Sequence, residues 1–350
     1  MVVSLDDFDF DLPPDRIAQE PARPRDAARM LRVDPSGRTD LMIRDLPDIL
    51  QSGDVLVVND TRVIPAQLTA RRGAARIGIT LNQPRGDGTV WHGLARNARR
   101  LHEGDTLRFD GDETLTAIVE AREPDGGVLL RFNQSGDDLT ACLRRAGSLA
   151  LPPYIHRADG PGAADEVDYQ TVYAARDGAV ATPTAGLHFT SELLDALQAR
   201  GVKLVAVTLH VGAGTFLPVR TEDVTQHRMH AERGLISPEV AATINAARAS
   251  GGRVAAVGTT SLRLLESAVR EDGTIMPFEG ETSLFILPGY RFLAVDILLT
   301  NFHLPRSTLF MLVCAFAGYQ RMRAAYAHAI QFDYRFFSYG DATILFRDHG

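Results

Sequence analysis

The chain has 350 residues, 45% hydrophobic and 23% charged, a balance that suits an ordinary globular protein of about two domains. Its net charge of −7 removes any global electrostatic case for nucleic acid. Its two cysteines, Cys142 and Cys314, lie far apart, which excludes a disulfide framework or a CxxC metal knuckle and suits a reducing compartment.

The amino end, MVVSLDDFDFDLPPD, is acidic and shows no basic start followed by an apolar stretch. No secretory signal is therefore expected there, and the expected location is the cytoplasm. Charge is uneven along the chain. Residues 1–60 carry 13 acids and seven arginines, a net of −6, whereas residues 61–110 carry nine arginines against four acids, a net of +5. Arginine suits bidentate phosphate contacts. A basic surface of no functional consequence would give the same count.

Val55 to Val58 is a short apolar run and predicts a strand. From about residue 64 to 135, short β-type segments alternate with turn signals. RIGITLNQP, Asp87-Gly88 and TVWHGLAR are followed by TLRF, Asp110-Gly111-Asp112 and ETLTAIVEA, then Pro124-Asp125-Gly126-Gly127 and VLLRF. Closely spaced strands with such turns predict a small barrel or curled sheet. A helix from about Asp138 to Arg145, ending at Gly147, closes it.

Beyond that point strands and helices alternate. A helix starts near Thr190 and ends before Gly201, and Val202 to Leu209 follows as a strand. Ser237-Pro238-Glu239 reads as an N-cap, a proline at the first helical position and an acid at the positive end of the helix dipole, with Gly251 after the helix. Val254 to Val257 and Ile297 to Leu299 are further strands. Leu309 to Ala317 is the longest apolar run, short of the roughly 20 residues that span a bilayer, and predicts a buried helix. No membrane association is expected. The pattern predicts a Rossmann-like α/β domain, residues 1–63 and 148–350, interrupted by an inserted small all-β, barrel-like domain, residues 64–147.

In open α/β sheets ligands bind beyond the carboxyl ends of the strands. Here those ends carry Asn59-Asp60-Thr61-Arg62, ATPTAGLHFT after Val180, His210-Val211-Gly212-Ala213-Gly214-Thr215, Gly258-Thr259-Thr260-Ser261 and Thr300-Asn301-Phe302-His303. Turns need Gly, Asn, Asp or Pro, not three histidines. Gly258-Thr-Thr-Ser exposes helix N-terminal amides that suit a carboxylate or phosphate, although capping by Ser261 is an equal reading. HVGAG resembles a nucleotide-binding glycine loop weakly, because the third glycine is missing and Pro218 stands where a helix should begin. His227, His230 and Glu232 have metal-like spacing for one face of a helix, yet only three ligands are visible, so no metal is expected. Asp60 and Arg62 share a strand end and also fit a plain ion pair. Tyr169 and Tyr173, four apart, suit either core or base stacking.

The segments ATPTAGLHFT, TLHVGAGTFLPV, HRMHAE, VGTTSLRLLES, TNFHLPRSTLFMLVCAFAG and YRFFSYGDA, with FDFDLPPDRIAQEPARPRDAARML, VVNDTRVIPAQL, LPPYIHR and DYQTVYA, resemble those of the S-adenosylmethionine:tRNA ribosyltransferase-isomerases of the queuosine pathway. The likeness covers essentially the whole chain and is weakest in the inserted β region. It implies an α/β domain with an inserted β-barrel and a reaction between S-adenosylmethionine and tRNA. The substrate RNA would carry an aminomethyl-deazaguanine base at the wobble position of its anticodon stem-loop. The ribosyl group moves to that amine and rearranges, giving epoxyqueuosine-tRNA with release of adenine and methionine. No metal or redox cofactor is implied.

That chemistry sets physical demands. A base must remove the C5′ proton that the sulfonium acidifies, and adenine leaves better when an acid protonates a ring nitrogen. The expected base is His210 or Asp60, and the expected acid His188 or His303. Thr259, Thr260 and Ser261 are expected on the methionine carboxylate, with Arg62 and Arg263 completing the anion site. Asn301 is expected to read adenine or ribose, and Thr184 and Thr215 to line the same pocket. Arg71, Arg72, Arg76, Arg96, Arg99 and Arg100 are expected to grip anticodon-stem phosphates.

The chain departs from the family at four positions. Gly78 stands where an acid is common, Thr182 where alanine, Cys314 where serine and Thr343 where methionine. Gly78 puts any role of an acid there in doubt and prompts one rival, a non-catalytic tRNA-binding paralogue. The other rival is an S-adenosylmethionine-dependent methyltransferase, prompted by HVGAG. A monomer is expected.

Overall fold

The computed structural model describes residues 4–86, 88–123, 126–212, 224 and 229–347. A nine-stranded sheet forms the body, in the order Phe278–Thr282, Glu232–Ile236, Lys203–Leu209, Val55–Asn59, Val254–Val257, Ile297–Asn301, Ala342–Phe346, Arg29–Asp34 and Gly37–Met42. The four strands from Lys203–Leu209 to Ile297–Asn301 in that order are mutually parallel. Ala342–Phe346 runs antiparallel to Ile297–Asn301. The beginnings of Ala342–Phe346 and of its parallel neighbour Arg29–Asp34 therefore join the carboxyl ends of the four at one edge.

The central strands read as unbroken apolar runs because they are buried on both faces. Val55 and Val57 enter one core with Ile244, Leu262, Phe310 and Tyr326, from the helices Pro238–Ala249, Gly258–Ala268, Thr308–Ala317 and Tyr319–Gln331. Leu56 and Val58 enter the other, with Phe189, Leu193 and Leu197 around the helix Ser191–Ala199. Side chains that alternate across a strand thus glue two helical layers to one sheet.

The helix boundaries follow the chemistry of the caps. Thr190 and Ser237 accept from the amides of Leu193 and Val240, each satisfying an orphan donor of the first turn. Gly201 and Gly251, both near φ +84°, close those helices in the left-handed region.

The second sheet has seven strands, ordered Gly147–Ser148, Gln67–Arg72, Ala75–Arg85, Val90–Ala95, Gly127–Phe132, Asp112–Arg122 and Thr106–Phe109. Gln67–Arg72 also pairs with Thr106–Phe109, so six antiparallel strands close into a barrel. Its own core includes Ile79, Leu81, Trp91, Leu107, Val119 and Leu130, and the helix Gly136–Ala146 adds Leu139, Cys142 and Leu143. Where the chain leaves the barrel, a Cβ on Gly147 would lie 2.3 Å from the carbonyl of Pro65, where it enters. Entry and exit therefore touch, and only glycine fits the crossing.

Glu232 does not lie on a helix, contrary to the helical face that its spacing suggests. Glu232 begins a strand that pairs with Phe278–Thr282, and His227 lies outside the described residues, as does Thr215.

Candidate active site

The carboxyl edge of the parallel strands gathers most of the polar groups singled out in the sequence. Asn59 ties two strand ends together: its Nδ2 donates to Leu209 O at 2.9 Å, and its Oδ1 accepts from the amides of Leu209 and Thr61 at 3.0 and 3.2 Å. Asp60 follows. Its Oδ1 accepts from Thr208 Oγ1 at 2.6 Å, and its Oδ2 stands 3.7 Å from Arg176. It lines a shallow groove of about 340 Å³ with Arg176, Thr208, Leu235, Ser237 and Val240.

His210 stands one strand away. Its Nδ1 shares a hydrogen bond with Thr61 Oγ1 at 2.8 Å. A Cβ on Gly178 would meet the imidazole at 2.8 Å, so the glycine makes room for the ring, and its φ of +145° is one that side chains disfavour. Burial pulls the imidazole below its ordinary value of 6.5 against the opposing pull of Asp60, which leaves it neutral at pH 7. Gly212 packs on the barrel, where a Cβ would lie 2.4 Å from Asn82 Oδ1. The barrel strand Ala75–Arg85 is thereby wedged against the loop that carries His210.

His188, Asn301 and His303 lie at the next strand end. Asn301 Nδ2 donates to Phe337 O at 2.9 Å and approaches Ser338 O and His188 Nε2, each at 3.3 Å. His303 Nε2 meets Thr300 Oγ1 at 3.0 Å, and its backbone amide donates to the hydroxyl of Tyr326. Burial pushes both His188 and His303 down to about 3. Neither is an imidazolium at neutral pH, so as the expected acid either one would act from its neutral N–H.

The helix Gly258–Ala268 opens at this edge without a side-chain cap. Ser261 does not cap it, because its Oγ donates back to Val257 O at 2.8 Å. Thr259 is buried, and Thr260 Oγ1 is buried without a partner. The first-turn amides are thus left for an anion. Thr184 begins the short helix Thr184–His188, whose Ala185 packs within 3.6 Å of a Cβ built on Gly258.

The two arginines expected at the anion site are engaged elsewhere. Arg263 forms a buried ion pair with Glu232 and also donates to Leu284 O, and burial pulls it down to about 10, so it stays charged. Arg62 donates to Ala174 O at 2.7 Å and faces Asp177 at 3.7 Å. Tyr169 is fully buried against Tyr339, and Tyr173 packs edge-on against Phe189, so both are core.

On the barrel the arginines divide. Arg71 and Arg76 both pair with Asp110, and Arg72 pairs with Asp105 at 2.9 Å. Arg96, Arg99 and Arg100 are exposed and form no ion pair among the described residues.

No group of three or more His, Cys, Asp or Glu among the described residues is placed to hold a metal. No helix among them is long and apolar enough to cross a membrane.

A family model described as "Queuosine biosynthesis protein" matches residues 5–345. The chain belongs to the queuosine biosynthesis protein family. Its relatives in that family include an S-adenosylmethionine:tRNA ribosyltransferase-isomerase of Gluconacetobacter diazotrophicus, 64% identical over 97% of this chain and 96% of the relative. One from Acidiphilium cryptum is 63% identical over 99% of this chain and all of the relative. A crystal structure of S-adenosylmethionine tRNA ribosyltransferase from Thermotoga maritima superposes with a TM-score of 0.56 at 35% identity, over 97% of this chain and 99% of that one. The mixed α/β body with a closed antiparallel barrel is thus the architecture of the family.

Two aromatic residues at this edge, Tyr154 and Phe337, are not singled out by the sequence. Each sits in a segment that resembles the family, LPPYIHR or YRFFSYGDA, but nothing in hydrophobic periodicity brings them together.

Proposed function

We propose that this chain transfers the ribosyl group of S-adenosylmethionine to the aminomethyl-deazaguanine base at the tRNA wobble position. It then isomerises that group, giving epoxyqueuosine-tRNA, adenine and methionine. The observation that carries the reading is the meeting of His210, Asp60, Thr259 and Asn301 at one sheet edge, in a chain that matches the family over residues 5–345.

His210 is the base that takes the C5′ proton. Its ring is neutral, and Nε2 is left over once Nδ1 is held by Thr61. Asp60 is the poorer candidate because both of its oxygens face partners, Thr208 and Arg176. The open first turn of Gly258–Ala268, with Thr259 and Thr260, receives the methionine carboxylate. Residues 64–147 act as the RNA-gripping domain, through Arg96, Arg99 and Arg100. The work is done by one chain in the cytoplasm.

The test is release of adenine and methionine from S-adenosylmethionine mixed with an anticodon stem-loop, with and without the aminomethyl-deazaguanine base. Stoichiometric release of both, only with the modified RNA, is expected. A folded protein that binds the RNA and releases neither overturns the reading.

A further inference from the structure

Phe337 has φ +72°, a conformation that costs a bulky side chain about 1–2 kcal/mol and persists only where its surroundings enforce it. Three contacts enforce it here. The Phe337 amide donates to Phe302 O at 3.1 Å, Gly340 N donates to Phe337 O at 2.9 Å, and Asn301 Nδ2 donates to the same carbonyl. A Cβ on Gly340 would lie 2.5 Å from the carbonyl carbon of Phe336, so the turn is closed as tightly as glycine allows. The strained turn holds the Phe337 ring against Tyr154, with centroids 4.2 Å apart. Tyr154 is fixed in turn by a 2.7 Å hydrogen bond to Ser338 Oγ and by Gln19 Nε2, which donates to its carbonyl. Both residues are intermediate in burial.

The same contacts orient two polar groups. Because Asn301 Nδ2 faces the carbonyls of Phe337 and Ser338, its amide has one orientation only. Its Oδ1 is then a fixed acceptor, buried in a residue 2% exposed, with no partner. Such an atom costs about 1–3 kcal/mol unless something donates to it. Asn301 Nδ2 has two hydrogens: one goes to Phe337 O, and the other is shared between Ser338 O and His188 Nε2, both at 3.3 Å; with Nε2 accepting, the neutral ring carries its proton on Nδ1. That N–H makes no hydrogen bond among the described residues. An unsatisfied acceptor and an unsatisfied donor thus sit on two side chains in contact, beside an aromatic pair held by backbone strain.

We propose that Asn301 Oδ1 and His188 Nδ1–H read the polar edge of a planar nucleobase that stacks on the Phe337–Tyr154 pair. The inference rests on the function proposed above, which supplies two such bases. Adenine offers its amine to Asn301 and a ring nitrogen to His188. The deazaguanine offers a ring N–H and a carbonyl. If adenine is the occupant, the His188 hydrogen bond also stabilises the negative charge that builds on the ring as it leaves, without an imidazolium.

Two variants test it. Phe337→Gly removes the ring and relieves the backbone strain, which offsets only part of the packing lost with a side chain that lies against the core, so binding is compared at a temperature where thermal unfolding shows the variant folded. Asn301→Ser shortens the side chain and so removes Oδ1 together with the Nδ2 contacts to Phe337 and Ser338. Binding of each variant is measured by titration calorimetry with S-adenosylmethionine, and separately with the modified anticodon stem-loop. A loss of about tenfold or more in one arm for both variants is expected, and the arm names the base. Affinities equal to wild type in both arms, with the fold intact, overturn the inference alone. A wild-type protein that binds neither probe overturns the functional reading, and this inference with it.

Discussion

The sheet edge and the barrel handle polarity in opposite ways. At the edge, several uncharged polar side chains are withdrawn from water: His188 and His303 are pushed to about 3, and Asn301 Oδ1 and Thr260 Oγ1 are buried with no partner. On the barrel, charge stays in water, and half of the arginines singled out there are matched by Asp105 or Asp110. An unsatisfied buried group is costly, whereas an exposed ion pair contributes about 0–1 kcal/mol. The edge therefore stores binding energy for a specific ligand, and the barrel offers adjustable, salt-dependent attraction. The contrast ranks substitutions: the edge should give large effects on chemistry and stability, the barrel small ones on association.

The largest effect is expected at His210. His210→Ala should slow single-turnover adenine release about 10²–10⁴-fold, with S-adenosylmethionine binding retained. Asp60→Asn should cost much less, and the reverse ranking would move the base to Asp60. The pH profile adds a sign. Burial lowers the folded-state value of His210 below 6.5, so the neutral base form predominates at pH 7. The rate should stay flat from neutral pH upward and fall only as acid protonates the ring, with a midpoint below 6.5. A midpoint above that value removes His210 from the role.

Next comes the buried pair of Arg263 with Glu232. Arg263→Met leaves a carboxylate buried and alone and should cost about 3–5 kcal/mol in urea unfolding. Glu232→Leu added to it should restore much of the loss, because two charges cost more to desolvate than a matched apolar pair. A single variant as stable as wild type would mean that the pair is solvated and that Arg263 is available to an anion after all.

Much of this frame is legible in the sequence. Val55 to Val58 reads as a strand because no polar residue interrupts it, and it is one, buried on both faces. Ser237-Pro238 marks a helix start through local chemistry alone, and the Ser237 hydroxyl does accept from Val240. What is not legible depends on pairings distant in the chain. Barrel closure brings Thr106–Phe109 beside Gln67–Arg72, and that sets Asp110 against Arg71 and Arg76. A helical face fits the spacing of His227, His230 and Glu232, but Glu232 joins a β-ladder whose partner lies beyond the next two helices. Arg263 looks free for a ligand in the sequence because its partner Glu232 stands 31 positions away, next to the histidines. The strained turn at Phe337 has no local signature, since its conformation is imposed by Asn301 and Phe302 from another strand end.

The smallest effect concerns the barrel, and it separates arginines that composition alone treats alike. Removing one arginine–phosphate interaction should lower the slope of log affinity against log salt by about one. Arg99→Ala with Arg100→Ala should therefore lower it by about two, since both side chains are exposed and without ion pairs among the described residues. Arg71→Ala with Arg76→Ala should leave it nearly unchanged, because Asp110 already engages both. Gly78 permits a finer cut. A Cβ built there would stand 3.6 Å from Arg96 Cδ, an ordinary van der Waals separation, so Gly78→Asp would place a carboxylate beside that arginine without distorting the strand. The salt slope should then fall by about one, with the melting temperature unchanged. Equal slopes for all three variants would mean that the RNA approaches another face, and the division between paired and open arginines would lose its functional meaning.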